Sequence, residues 1–458
     1  MSGRYDVAII GAGVVGCAVA RELSRYELRT ILIEARSDLG DGVSKGNSAV
    51  LSTGADTPFG SLECKLVARG HQRYLAEAPA MGLPIKAIGS LTVAWNDDER
   101  RTVEQLQAET VAAGFHDVVM VGADEIYRRA PHIAPGAVAA MWDPEEGIVD
   151  PFSTPYAYAL DAVSNGVAFQ DRSPVEKAER NGKSWHLHTP RGVIEAGIVI
   201  NCGGLGAARI EALGGFSDFV MRPRRGQFLV FDKSARPLLD VVLKPVPTPL
   251  YRGILMTPTI FGNILVGPTS EEIDDPDDWR VTQSGIDMLL AAVRRLLPQL
   301  LNHEITATYC GIRPGTERPE YRIIPRPTER WLTVGGIRST GLSGSLGIAE
   351  HVAGLVVGEM IAAQKKPGCT AVSVPSLAAG ERPWLNGKAA DPAHCEIMCH
   401  CEGITVGEIR DAMASPLAPR SLKALKRRTR AMFGRCQGFF CGARVQALFE
   451  RLSTERST

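Results

Sequence analysis

No stretch of about 18 consecutive apolar residues occurs in this 458-residue chain, so no membrane-crossing helix is expected. Neither sign of charge is in excess: Lys+Arg and Asp+Glu number 51 each. No global field therefore favours nucleic acid or acidic lipid as the main partner. The opening Met-Ser-Gly-Arg-Tyr-Asp carries no charged region leading into an apolar stretch and a cleavage site, so a cytoplasmic location is expected rather than export. Nine histidines are scattered, none in a motif that demands catalysis; His71 and His351 fall on predicted helices and read as surface or core residues. No internal repeat is present.

What remains is ordinary globular composition, 45% hydrophobic and 22% charged, enough for one large core or two to three smaller ones. Glycine is abundant at 47 residues. Of ten cysteines, Cys17, Cys64, Cys202, Cys310 and Cys369 are dispersed, whereas the other five crowd into 395–441. In a cytosolic chain such crowding points to metal rather than disulfides.

Tyr5–Ile10 reads as a strand, Val14–Tyr26 as a helix, and Thr30–Ile33 as a second strand ending at Glu34. Between the first two lies Gly11-Ala12-Gly13-Val14-Val15-Gly16. The spacing alone is a weak signal, but its setting is strong. The first glycine permits the tight turn, the second lets backbone approach a pyrophosphate, and the third allows helix and strand to pack closely. The helix N-terminus favours the phosphate charge, and Glu34, with Ala35 beside it, would receive the ribose hydroxyls. The plain alternative is a glycine turn in an empty α/β fold. This loop does not separate FAD from NAD. Two features favour FAD: the motif begins at residue 11, and a late glycine-rich turn, Gly335–Ser345, opens a helix where backbone N–H groups could face a second anionic point. Ile198–Gly204 is a further strand running into glycines, and residues 40–56 read as a small, polar loop close to a ligand.

The tail carries Cys399-His400-Cys401 and Cys436-Gln437-Gly438-Phe439-Phe440-Cys441. Four thiols in two close pairs can hold an iron–sulfur cluster. Zinc and unligated core cysteines are the alternatives; Cys-x-Cys is cramped for one tetrahedral ion. Cys395 lies outside the pattern. Thr405-Val406-Gly407-Glu408 is a capping box opening a helix, with further helices expected at 421–432 and 443–452. The tail therefore reads as a small all-α module that needs a staple. Its basic run, Lys423 to Arg430, is a solvated face, a counter-charge to a cluster, or a dock for an acidic partner.

Ser44–Leu51, Arg222–Gly226, Cys310–Pro314 and Gly336–Leu342 together resemble the D-amino-acid-oxidase type of FAD-dependent oxidoreductase, over roughly residues 4–365. Within it they are closest to the branch of L-2-hydroxyglutarate dehydrogenase and the anaerobic glycerol-3-phosphate dehydrogenase large subunit. The resemblance implies an α/β chain with a Rossmann-type FAD domain in segments (about 1–85, 143–215, 311–365). A β-sheet substrate domain would be built from 86–142 and 216–310. It assigns Ser44, Asn47, Ser48, Val175, Gly203, Gly204, Gly336, Ile337, Arg338, Gly341, Leu342 and Ser343 to FAD, beside Gly11–Gly16, Glu34 and Ala35. Arg313 would grip a substrate carboxylate or phosphate, as a guanidinium fork does; Arg224, Arg225, Arg318 and Arg322 are weaker candidates. Where the branch carries His-Ala-Gly, this chain has Ser52-Thr53-Gly54, so an imidazole is missing and Ser52 stands in its place.

The tail similarly resembles the bacterioferritin-associated-ferredoxin type of [2Fe-2S] domain, over about 394–453 after a linker at 366–393. That likeness makes Cys399, Cys401, Cys436 and Cys441 the ligands. The expectation is an FAD-dependent dehydrogenase for a small anionic 2-hydroxy acid or polyol phosphate. Electrons would leave through the cluster to a second subunit of a hetero-oligomer or to a quinone-linked acceptor at a membrane. Oxidation of a CH–NH bond, and an electron-transfer subunit without turnover of its own, are the alternatives.

Overall fold

The computed structural model describes residues 4–248, 251–377 and 391–456. Residues 378–390 of the linker expected at 366–393 thus lie outside the described residues. Its start is a strap tied to the body: Lys366 N–H reaches the Arg25 carbonyl at 2.8 Å, and Val374 N–H the Met81 carbonyl at 2.9 Å.

The first strand, β1 (Arg4–Ile10), is buried from Val7 onward on both faces, as an interior parallel strand should be. It pairs in parallel with β2 (Thr30–Ile33), Val7 opposite Thr30, and with β3 (Gly192–Asn201), Val7 opposite Ile198. Trp331–Gly335 continues the parallel order beyond β3, and Ala168–Gln170 beyond β2. Helix α1 (Val14–Leu23) links β1 to β2, shorter than the expected span because the chain turns at Ser24. Helices α2 (Leu62–Glu77) and α3 (Gly341–Leu355) pack with it on one face of this sheet. Each aliphatic side chain that leaves water there contributes about 1.5–3 kcal/mol. The segment Gly341–Met360 is long and apolar enough to cross a membrane by length and composition; here 61% of it is buried against other parts of the chain.

A second, nine-stranded sheet stands over the first domain. Its longest ladder, toward one edge, pairs β4 (Arg224–Phe231) antiparallel with β5 (Ile305–Arg313). The strand therefore carries the second sheet to Arg313, three residues past the boundary expected at 310. Ala139–Asp143 belongs to this sheet, and Gly147–Val149, close behind it in the chain, to a separate three-stranded one.

The tail is not all α. Ile397–Cys399 and Ile404–Thr405 form a short antiparallel pair before α4 (Val406–Ala414), whose capping box is present. Helix α5 (Leu422–Thr429) stops three residues earlier than expected, because Arg430 turns left-handed at φ 67°. Helix α6 (Gly442–Glu455) starts directly after Cys441.

Candidate functional site

The carboxyl ends of β1, β2 and β3 meet at the first glycine turn. Gly11 has φ 105°, and a Cβ there would stand 2.5 Å from the Cys202 carbonyl oxygen. A Cβ on Gly16 would stand 1.9 Å from the Gly11 oxygen. Gly13 is different: only Ser44 Oγ comes near, at 3.3 Å, so ligand backbone or phosphate has room on that side. Gly13 caps α1 without a side-chain bond, leaving first-turn N–H groups available, while Val14 N–H donates to Ser44 Oγ at 2.9 Å. Glu34 closes the cradle. Its carboxylate accepts from Ala12 N–H at 2.8 Å and Arg36 N–H at 2.9 Å, while burial pushes its pKa up. Ala12 is buried, Val15 half-buried and Ala35 exposed. Gly203 and Gly204 follow β3 after Cys202, with Gly203 Cα 3.3 Å from the Cβ position of Gly11. Val175 is buried, and its carbonyl accepts from Arg209 at 3.2 Å. A dinucleotide's phosphates and ribose fit this set of glycines, free N–H groups and one carboxylate.

The loop after β2 holds its own shape. Asn47 donates to the Ser44 carbonyl at 2.6 Å and accepts from Ala49 N–H at 2.7 Å, with Ala49 at φ 60° and Ser48 half-buried between. Ser52 N–H donates to Ser343 Oγ at 2.9 Å across 291 residues, which joins this loop to the late glycine-rich turn. In that turn Gly336 has φ 64° and Arg338 φ 46°. The Arg338 guanidinium is committed to Glu63, which also accepts from Thr340 at 2.8 Å. Ile337 and Leu342 are buried, and Gly341 opens α3.

Arg313 ends β5 beside Arg224, its register partner on β4. Its Nη2 donates to the Thr269 carbonyl at 3.1 Å; its Nη1 is buried with no hydrogen-bond partner among the described residues. Burial lowers its pKa to about 10; Arg224 and Arg252 push the same way, and Tyr251 opposes them. A buried, half-satisfied guanidinium next to like charges calls for an anion. By contrast Arg225 is paired with Glu271 and Asp278, and Arg322 with Glu317, so both hold structure. Arg318 is exposed.

Beside it stands a polar group of which the sequence signalled Ser52 alone. Ser52 Oγ donates to Asp56 at 2.7 Å, Asp56 pairs with Arg252 at 3.0 Å, and Lys244 pairs with the buried Glu146. Burial alone would raise Asp56; Arg252, Lys244 and the Ser52 hydroxyl outweigh it and hold the carboxyl at about 2. Tyr251, its hydroxyl on the Pro268 carbonyl, is pushed up to about 12 by burial. His71 is a core residue, its Nε2 3.0 Å from the Glu145 carbonyl.

In the tail, Cys399, Cys401, Cys436 and Cys441 line one cavity of about 250 Å³, with Phe440 and Arg444 at its wall. Among the described residues no three His, Cys, Asp or Glu side chains converge as a single-ion site requires. The thiols instead pair across the two segments, Cys401 with Cys436 and Cys399 with Cys441. Backbone N–H groups, Phe440 first, lower the Cys436 pKa, whereas burial and the Cys399 thiol push Cys441 up to about 12. Two pairs of thiols suit a two-iron cluster better than one tetrahedral zinc. Cys395 is exposed and does not line the cavity. Besides Arg444, Lys426 is a nearby cation, 4.5 Å above the Phe433 ring and within reach of the Cys399 and Cys441 charges.

Comparison with known proteins agrees with both halves. Residues 6–355 match the FAD dependent oxidoreductase family and 397–451 the BFD-like [2Fe-2S] binding domain. Glycerol 3-phosphate dehydrogenase of Caloramator mitchellensis is 34% identical over 98% of this chain and 94% of its own length. One subunit of the anaerobic glycerol-3-phosphate dehydrogenase of Escherichia coli is 26% identical over 99% of this chain and 89% of its own. The L-alpha-glycerophosphate oxidase structure from Mycoplasma pneumoniae, with FAD bound, superposes with a TM-score of 0.76 at 27% identity. It covers 81% of this chain and 99% of that one.

Proposed function

The chain belongs to the FAD dependent oxidoreductase family and ends in a BFD-like [2Fe-2S] binding domain, and from that premise we propose that it oxidises the secondary alcohol of glycerol 3-phosphate. Bound FAD supplies the two-electron acceptor and the [2Fe-2S] cluster a one-electron outlet. The nucleotide half would lie on Gly11–Gly16, Glu34, Ser44 and Gly203–Gly204. The flavin half would lie between Asn47–Ser52 and Gly336–Ser343. Cys399, Cys401, Cys436 and Cys441 would hold the cluster.

One observation carries the choice of substrate. The Nη1 of Arg313, without a hydrogen-bond partner among the described residues, is buried beside Arg224 and Arg252. Three guanidinium groups suit a phosphate dianion better than the single carboxylate of a simple 2-hydroxy acid. The Caloramator and E. coli relatives, named for glycerol 3-phosphate, support the same choice. Arg313 then anchors the phosphate and presents the carbinol carbon. The Ser52–Asp56 hydrogen bond gives the hydroxyl proton an exit without an imidazole: Ser52 Oγ takes it and passes its own to Asp56.

The E. coli relative is named as one subunit, which supports a partner for this chain as well. We place the enzyme in the cytoplasm, with a second subunit or a quinone-linked acceptor taking electrons from the tail. The test is anaerobic dye reduction with glycerol 3-phosphate, glycerol, 2-hydroxy acids and amino acids. Turnover of glycerol 3-phosphate whose KM rises at least about 30-fold in Arg313→Ala supports the reading; an unchanged KM in that variant, or preference for an amine, overturns it.

A further inference from the structure

Helix α5 touches both cofactor sites at once. On one side Arg427 and Arg428 each donate to Asp38, at 2.7 Å to its two oxygens, and Arg427 also reaches Asp41 at 2.8 Å. The Asp38, Arg427 and Arg428 side chains are only 5%, 8% and 3% exposed. Asp38 and Asp41 begin the loop that hangs from the glycine turn: Gly40 N–H donates to the Ala12 carbonyl at 2.8 Å, and Ser44 returns to Val14. Lys45 and Arg36 tie the same loop to Asp41, at 3.0 and 2.9 Å. On the other side, Lys426 faces the Cys399 and Cys441 charges, and Arg430 holds Glu402, next to Cys401, at 3.0 Å.

We propose that Asp38 is a positioning residue that makes FAD retention and cluster retention depend on each other. The inference rests on the cofactor assignments above and adds their coupling. Asp38 is a buried carboxylate whose two ion-pair partners among the described residues both come from the cluster module. An empty thiol cage loosens the segments that brace α5, and a shifted α5 leaves Asp38 buried and unpaired, which is costly. The loop then relaxes away from the turn that receives the pyrophosphate. Coupling between two sites is reciprocal, so FAD must hold the cluster by the same factor by which the cluster holds FAD.

The experiment measures FAD affinity by flavin fluorescence in full-length protein, iron-loaded and iron-free, the latter prepared by chelation or as Cys436→Ser. FAD binding weaker by about tenfold or more without iron is expected. The chelator-resistant iron affinity should change by the same factor on FAD removal. Asp38→Asn should keep its iron, bind FAD less tightly, and lose most of the coupling, whereas Arg428→Lys should retain much of it. If Asp38→Asn does not fold, Arg427→Gln removes one of the two clamps, and the wild-type comparison stands by itself. FAD affinity within twofold in the two iron states overturns the coupling alone. Protein that binds neither FAD nor iron overturns the cofactor assignments with it.

Discussion

Gly46 and Gly311 press their backbones together: a Cβ built on Gly311 would stand 1.8 Å from the Gly46 carbonyl oxygen. This contact locks the flavin-side loop to the strand that ends in Arg313. Gly311→Ala must push the two apart, at about 1–3 kcal/mol for an overpacked contact. Thermal unfolding should shift down, and FAD content on purification should fall. A variant with wild-type melting and full flavin would show that the contact does not set the site.

Arg313 should dominate substrate affinity. Arg313→Ala removes a charge-assisted anchor worth about 2–4 kcal/mol, a rise in KM of roughly 30- to 1,000-fold. Arg313→Lys should recover part of it. Burial lowers the pKa of this guanidinium to about 10. It is therefore fully charged below that value and loses charge as pH rises through it. KM for the phosphate substrate should be flat to about pH 9 and climb tenfold per pH unit above 10.

The Ser52–Asp56 pair gives a pH signature unlike that of a histidine base. Asp56 is held at about 2, below an ordinary carboxyl, so it remains a proton acceptor at any higher pH and is lost only as pH falls toward that value. In stopped flow, the limiting rate of flavin reduction at saturating substrate, which the substrate phosphate's own titration near about pH 6 does not govern, should show no acid limb near pH 6.5, where an unperturbed imidazole titrates. Ser52→Ala should slow that step about 100-fold with KM little changed. A limb near 6.5 in the wild type would point to another base.

Cys436→Ser should remove the cluster while leaving substrate reduction of the flavin in place. Transfer to a one-electron acceptor should fall at least tenfold, and iron per chain should drop. Lys426→Met keeps the ligands but removes the positive charge facing Cys399 and Cys441, so the cluster's midpoint potential should move down. An unchanged potential would make Lys426 a packing residue only.

What was legible in the sequence was local. The glycine turn, Glu34 twenty-odd positions on and the cysteine spacings each sit within one or two elements, where backbone geometry dictates residue type. Ser52 and Ser343 were each singled out, but their bond spans 291 residues and no pattern announces it. Asp56, Tyr251, Arg252 and Lys244 carry no motif at all; they become a site only when the second sheet closes over the loop. Asp38 and Arg428, 390 residues apart, are invisible for the same reason. The early end of α5 has a tertiary cause. Arg430 leaves the helix to stack 3.6 Å over Phe261 and to pair with Glu402, and those contacts override its helical propensity.

The most direct measurement is an anaerobic titration of the holoprotein with glycerol 3-phosphate, following the flavin band and the electron paramagnetic resonance of the iron together. Two electrons enter the flavin and one more reaches the cluster, so complete reduction should need about 1.5 equivalents of substrate per chain, with the iron signal appearing as the band bleaches. In Cys436→Ser the end point should fall to about one equivalent per bound flavin. A flavin that bleaches fully at one equivalent in the wild type, with the iron still oxidised, would contradict a route from substrate to the tail sulfurs.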